Sequence, residues 1–288
     1  MNSFVVKSFF HQDTSTWAHI LADKESKRAA VIDPVLDYRT EDGHVSTEFA
    51  DKLLDYMAKE QLMLSYILET HIHADHLSAG DYLRQRTQAP IVVGNKVGQI
   101  QKTFSKVFNE SSDFAVDGRQ FDKLVGEGDV LLLGKTSIRV LNTPGHTPAC
   151  VSYIVNDRIV FIGDTLFMND TGSARCDFPA GDAGTLYDSV QKLYALGDHV
   201  IMYLCHDYPP HGRDVQATIS VAKQRQHNIH IHQGISRDEF IAVRNERDAS
   251  LNKPRLILPS LQVNIRAGAL PEAESNGVSY LKVPINLI

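Results

Sequence analysis

The segment Thr70-His71-Ile72-His73-Ala74-Asp75-His76 places four side chains able to bind a metal within six positions. In extended chain, side chains repeat every two residues, so His71 and His73 point the same way. Asp75 and His76 then fall at the turn, where the backbone can fold them back toward the same point. Imidazoles and a carboxylate packed this closely make sense if a cation screens them, and such clusters mark metal sites. Three later residues supply distant partners: His146 in Thr143-Pro144-Gly145-His146-Thr147, Asp164 in Gly163-Asp164-Thr165, and His206 in Cys205-His206-Asp207-Tyr208. Each follows an apolar run. Singly they are compatible with a turn histidine, an Asx-turn aspartate and a capping histidine. Four strand ends converging on one edge is the more economical account.

The elements that deliver those ends come in two blocks. Residues 4–10, 16–22 and 28–33 are short apolar runs broken by polar turns, which predicts a strand meander. Apolar residues at helical spacing predict a helix over 47–62, with Ser46 or Thr47 as N-cap, before a buried strand over 64–68. Helices near 79–87 and 96–108 flank a strand at 91–93. A second meander follows over 129–133, 137–142, 150–155 and 158–163, turning at Asn156–Asp157. Helices near 185–196, 214–224 and 236–248 and a strand over 200–204 complete the pattern. Strands in two blocks do not fit simple βαβ alternation; two mixed sheets packed face to face, with helices outside, fit better. No repeat or linker divides the chain, so one domain over 1–288 is expected. Helical and extended segments are appended from about residue 214, and the Pro-punctuated tail from Lys253 is expected to run over the surface as extended chain.

The chain has 288 residues, 43% of them hydrophobic, with 35 acidic and 29 basic side chains and a net charge of −6. The acidic balance argues against nucleic acid as a partner, since binding it needs a basic stripe. No apolar stretch approaches the roughly 20 residues that cross a bilayer, and no secretory signal is evident. Three cysteines are too few for a disulfide scaffold. A soluble cytoplasmic protein is the expectation.

The set His-x-His-x-Asp-His, Gly-His, Gly-Asp-Thr and His, in this chain order, closely resembles the metallo-β-lactamase superfamily over at least residues 15–213. The resemblance implies a four-layer αββα sandwich with metals at one edge of the sheets. In that family His71, His73 and His146 would bind one metal and Asp75, His76 and His206 a second, with Asp164 bridging. All seven positions are filled.

The superfamily hosts several chemistries, so the fold alone decides little. Flavin-linked di-iron members need Glu where this chain has His73. The Ala174-Arg175-Cys176-Asp177-Phe178 stretch, the Leu186-Tyr187-x-Ser189 helix, His206-Asp207-Tyr208 and the stretch from Pro259 to Asn264 resemble persulfide dioxygenases. This branch implies one Fe(II) per chain, held by His71, His146 and Asp164 as a facial triad with open positions. It also implies oxidation of glutathione persulfide by O₂ and water to sulfite and glutathione. His73, Asp75, His76 and His206 would then orient ligands and shape the pocket, or hold a second metal. The complete seven-residue set keeps a dinuclear Zn hydrolase of glutathione thioesters, like glyoxalase II, as the alternative.

For the substrate, Arg175 is the candidate to fork onto a carboxylate, with Asp177 fixing it; a structural Arg–Asp turn pair is an equal alternative. Tyr208 could donate to substrate or simply pack, and Arg213 and Lys223 are guesses at a basic rim. Cys176 is read as a buried filler rather than a persulfide relay, and Cys150 and Cys205 as core, Cys205 facing away from the ligands. His227, His230 and His232 are read as a solvated loop, and Gly94–Gly98 as no phosphate loop. The oligomeric state is left open, with a homodimer among the options, and any sulfurtransferase partner would be a separate protein.

Overall fold

A computed structural model describes residues 3–287. Strands β1 (Phe4–His11), β2 (Thr16–Asp23) and β3 (Arg28–Ile32) form the expected antiparallel meander. A hairpin of β4 (Val35–Arg39) and β5 (His44–Ser46) leads into α1 (Glu48–Lys59), whose Phe49, Leu53 and Met57 are buried at helical spacing. After β6 (Met63–Leu68) come β7 (Leu77–Ser78), α2 (Gly80–Thr87), β8 (Ile91–Gly94), α3 (Val97–Val107) and β9 (Lys123–Val125). The second block runs β10 (Val130–Leu133), β11 (Thr136–Asn142), β12 (Val151–Val155), β13 (Ile159–Phe161), α4 (Ala183–Tyr194), β14 (Ile201–Tyr203), β15 (Thr218–Ser220), α5 (Val221–His227), α6 (Arg237–Ala249) and α7 (Ile257–Asn264). Asn156 and Asp157, both at positive φ, turn β12 into β13.

Two six-stranded sheets result, in the orders β1-β2-β3-β6-β8-β9 and β10-β11-β12-β13-β14-β15, beside a small β5-β4-β7 sheet. The strands have apolar residues on both faces because both faces are covered. On β3, Ala30 and Ile32 face the other sheet while Ala29 and Val31 pack in the cluster that holds α1 and α3. On β12, Val151, Tyr153 and Val155 join the layer between the sheets, and Ile154 packs in the cluster that holds α4 and α6. This is a four-layer αββα sandwich.

Three expectations change. The small third sheet and β9 were not foreseen, since two- to five-residue strands carry too little periodicity. The helix expected over 214–224 starts later, at Val221, behind β15; Ser220 caps it by accepting from the Lys223 N–H. The tail does not run entirely as surface strand. It first forms α7, buried along most of its length, and Pro259 is accommodated because it sits in the first turn, where its missing N–H has no helical partner to lose. Among the described residues no helix is long and apolar enough to cross a membrane.

Candidate metal centre

Four chain segments meet at one edge of the two sheets. They are residues 69–76 after β6, the 143–150 loop between β11 and β12, the single turn Gly163–Thr165 after β13, and Cys205-His206 after β14. They gather two sets of donors. His71, His146 and Asp164 present atoms within 4.8 Å of one another, as do His73, Asp75, His76 and His206. His71 Nε2 and His146 Nε2 each stand 3.8 Å from Asp164 Oδ2, beyond hydrogen bonding. His206 Nε2 lies 3.1 Å from Asp75 Oδ2 and 3.4 Å from Asp164 Oδ1, so Asp164 faces both sets. In this geometry His73 falls with the second set.

The donor set fits a cation. His71 Nε2, His73 Nδ1, both nitrogens of His76, His206 Nε2 and Asp164 Oδ1 are buried without a hydrogen-bond partner. Each such orphan costs on the order of 1–3 kcal/mol, and a metal ion satisfies several together. The opposite nitrogen of most rings is anchored, which fixes the free lone pair. His146 Nδ1 donates to the Arg175 carbonyl at 2.7 Å. His71 Nδ1 donates at 3.0 Å to the Thr70 hydroxyl, which itself donates to Asp33. His73 Nε2 donates to Asp33 at 3.1 Å and stands 3.4 Å from Glu69. His206 Nδ1 lies 3.3 Å from both Thr16 Oγ1 and the Ser15 carbonyl.

Charge is distributed to match. Burial, then the neighbouring imidazoles, holds His71 well below the ordinary histidine range, and burial with His73 brings His76 down to about 3. Burial alone would lower His73 as well, but Asp33 and Glu69 outweigh it and raise the ring well above its usual value. Burial raises the Asp164 carboxyl despite His206 and His146. For Asp75 the balance is opposite: His206 and His76 outweigh burial and hold it low.

The metallo-beta-lactamase superfamily model matches residues 13–206, about two thirds of the chain. The chain belongs to this superfamily. Across 98% of its length it is 48% identical to a probable metallo-hydrolase of Burkholderia pseudomallei, covering 99% of that protein. It is 46% identical over its full length to Glyoxylase B2 of Dictyostelium discoideum, covering 99% of it. Identity to the mitochondrial persulfide dioxygenase ETHE1 of Mus musculus is 32%, over 92% of this chain and 89% of that one. The crystal structure of ETHE1 from Myxococcus xanthus superposes with a TM-score of 0.73 at 32% identity, covering 92% of this chain and all of that one.

The superfamily site opens here into a cavity of about 460 Å³, lined by Asp75, His146 and Asp164 on its floor and by Phe167, Phe178 and Tyr208 on its walls. The Tyr208 ring stacks on His206 with centroids 5.6 Å apart, and its hydroxyl reaches Asp75 at 3.5 Å. Arg175 also lines the cavity, but its guanidinium is committed: it forks onto Asp177 at 2.6 and 2.7 Å and donates to the Asn252 carbonyl at 2.7 Å. Both Arg175 and Asp177 are thereby held to the protein's own frame. Arg213 is clamped between Asp170 and Asp207, and Lys223 sits on α5 away from the cavity lining. Of the other arginines that line the cavity, Arg244 is paired with Asp248 and Arg255 with Asp13, while Arg247 is exposed and without an ion pair among the described residues.

Cys205 is a correction. It is buried as expected, but its thiol lies within 4.8 Å of the Asp33 and His73 donors, on the ligand side. The residue precedes His206 after β14 has ended, where strict alternation no longer applies. Cys176 and Cys150 are buried; burial pushes the Cys150 thiol up to about 12 and Cys176 higher still. His227 and His232 are exposed, whereas His230 is buried and accepts from the Ser173 N–H at 3.0 Å, so it packs rather than being solvated. Asp33, Glu69 and Arg247 were missed by sequence reading. Asp33 and Glu69 carried a signal, each as an acid ending a buried strand.

Proposed function

We propose that the protein is an Fe(II)-dependent persulfide dioxygenase acting on glutathione persulfide. The observation that carries the reading is the His71–His146–Asp164 triad, whose His146 and Asp164 line the cavity and whose two imidazoles each stand 3.8 Å from the Asp164 carboxylate, while His206 and Asp75 of the other set close to 3.1 Å. Two imidazoles and one carboxylate form the donor set of a facial triad. Bound Fe(II) would supply open positions for activating O₂ beside the substrate sulfur. The likeness to ETHE1 supports the same reading.

The balanced reaction converts one persulfide, one O₂ and one water into glutathione, sulfite and two protons. The terminal sulfur is oxidised and O₂ is reduced, so no external reductant is required. The chain's residues have separate tasks. The Arg175 carbonyl holds His146 in the tautomer that leaves Nε2 free. Phe167 and Phe178 line an apolar wall that limits water at the reacting sulfur. Arg247 in the cavity lining attracts the carboxylates of the tripeptide, and Tyr208 is placed to donate to the bound substrate.

A dinuclear hydrolase of glutathione thioesters is the second reading. It is favoured by the second donor set, where both His76 nitrogens and His206 Nε2 lack hydrogen-bond partners, and by the likeness to Glyoxylase B2. Metal content of the purified protein separates the two. About one iron per chain, with no hydrolysis of a lactoylglutathione-type thioester by the zinc form, is the expected result. Two zinc ions per chain with thioester turnover would replace it by the hydrolase.

A further inference from the structure

The loop carrying His71, His73, Asp75 and His76 is held from the far end of the chain. Asn264, the last residue of α7, lies outside the 13–206 match and is 3% exposed. Its Nδ2 donates at 2.8 Å to the carbonyl of His73 and at 2.8 Å to the carbonyl of His76. Its Oδ1 accepts at 2.8 Å from the N–H of Ser78. One amide thus ties three backbone groups across six residues of the loop, using both of its donor hydrogens. The Ser78 hydroxyl in turn donates to Glu69, which lies against His73. The ladder of β7 with β4 pairs only Leu77 and Ser78, and so stops short of the His73 and His76 carbonyls.

We infer that Asn264 is a positioning residue of the metal centre: it fixes the backbone of the His73–His76 turn, and through it the direction of the second donor set. The inference rests on the metal-centre reading, though not on which reaction that centre performs. A side chain that merely filled space would not need both amide hydrogens aimed at two carbonyls of one turn. An isosteric acid at this position keeps the acceptor and loses both donors.

The test compares Asn264→Asp and Asn264→Ala with Leu261→Ala, which removes buried apolar contact from the same helix but no hydrogen bond. Each full-length chain is freed of metal and titrated with Co²⁺, read by its ligand-field absorption and its affinity. Expected are at least a roughly tenfold loss of Co²⁺ affinity and an altered absorption envelope in both Asn264 variants. Leu261→Ala is expected to keep the wild-type envelope even where its melting temperature falls as far. Amide hydrogen exchange of residues 71–78 in the metal-free proteins is the second readout, with protection lost in the Asn264 variants and kept in Leu261→Ala. Wild-type exchange protection in the Asn264 variants overturns the inference whether or not metal binds. Affinity and envelope matching Leu261→Ala overturn it too. Failure of the wild-type chain to bind Co²⁺ at all would instead remove the metal-centre reading, and the positioning role with it.

Discussion

His71, His146 and Asp164 each offer a buried donor to one point, whereas His206 lies with the other donor set. Asp164→Ala removes the only carboxylate of the triad and is expected to abolish iron binding. His206→Ala leaves the triad intact and should retain about one iron while perturbing turnover; equal metal loss in both, measured by metal analysis, would indicate a shared dinuclear site. A second expectation concerns His19, between the sheets, whose Nε2 donates to the Leu204 carbonyl and whose Nδ1 accepts from Ser8. Burial lowers its pKa to about 4. The unfolded chain, with a histidine near 6.5, therefore takes up a proton between pH 6.5 and 4 that the folded chain refuses. This contribution is present above pH 6.5 and is lost as pH falls toward 4, amounting to about 3 kcal/mol. Denaturant midpoints followed from pH 7 to 4 should fall less steeply in His19→Asn than in wild type. Parallel slopes would show that His19 does not titrate this way.

At the scale of elements, the strand ends are locked to one another through backbone. Gly163 adopts φ +51°, and an added Cβ would lie 2.5 Å from Thr70 Oγ1, the anchor of His71. Gly163→Ala is expected to cost about 1–2 kcal/mol for the left-handed backbone and to lower iron affinity by roughly tenfold or more. Thermal melting and metal titration check the two parts, and unchanged affinity would mean that the β6 and β13 ends are not coupled. Such coupling explains what was legible in the sequence. The ligand motif, the two meanders and the helices α1, α3, α4 and α6 are local patterns of period or spacing, and they reappear in the structure with small shifts at their ends. The third sheet, the acids Asp33 and Glu69 behind His73, and the role of α7 depend on contacts between distant segments. Asn264 meets the 73–78 turn across 186 residues or more, and no periodicity encodes that. Arg175 shows the same limit: its type suits anion binding, but only the fold places Asp177 and the Asn252 carbonyl around it.

For the whole molecule, the sandwich supplies rigidity on one side and access on the other. The layer between the sheets is filled by residues such as Leu68, Val92, Val140 and Phe161, so the strand ends that carry the ligands have little freedom to separate. Arg247 and Arg255 line the cavity although the chain as a whole carries a net charge of −6. Oxygen uptake is the most direct test of the proposed dioxygenase. Iron-loaded protein given glutathione persulfide in an oxygen-electrode cell should consume one O₂ for each sulfite formed, and none when glutathione replaces the persulfide. Absence of persulfide-dependent O₂ uptake by the iron-loaded chain would contradict the dioxygenase assignment.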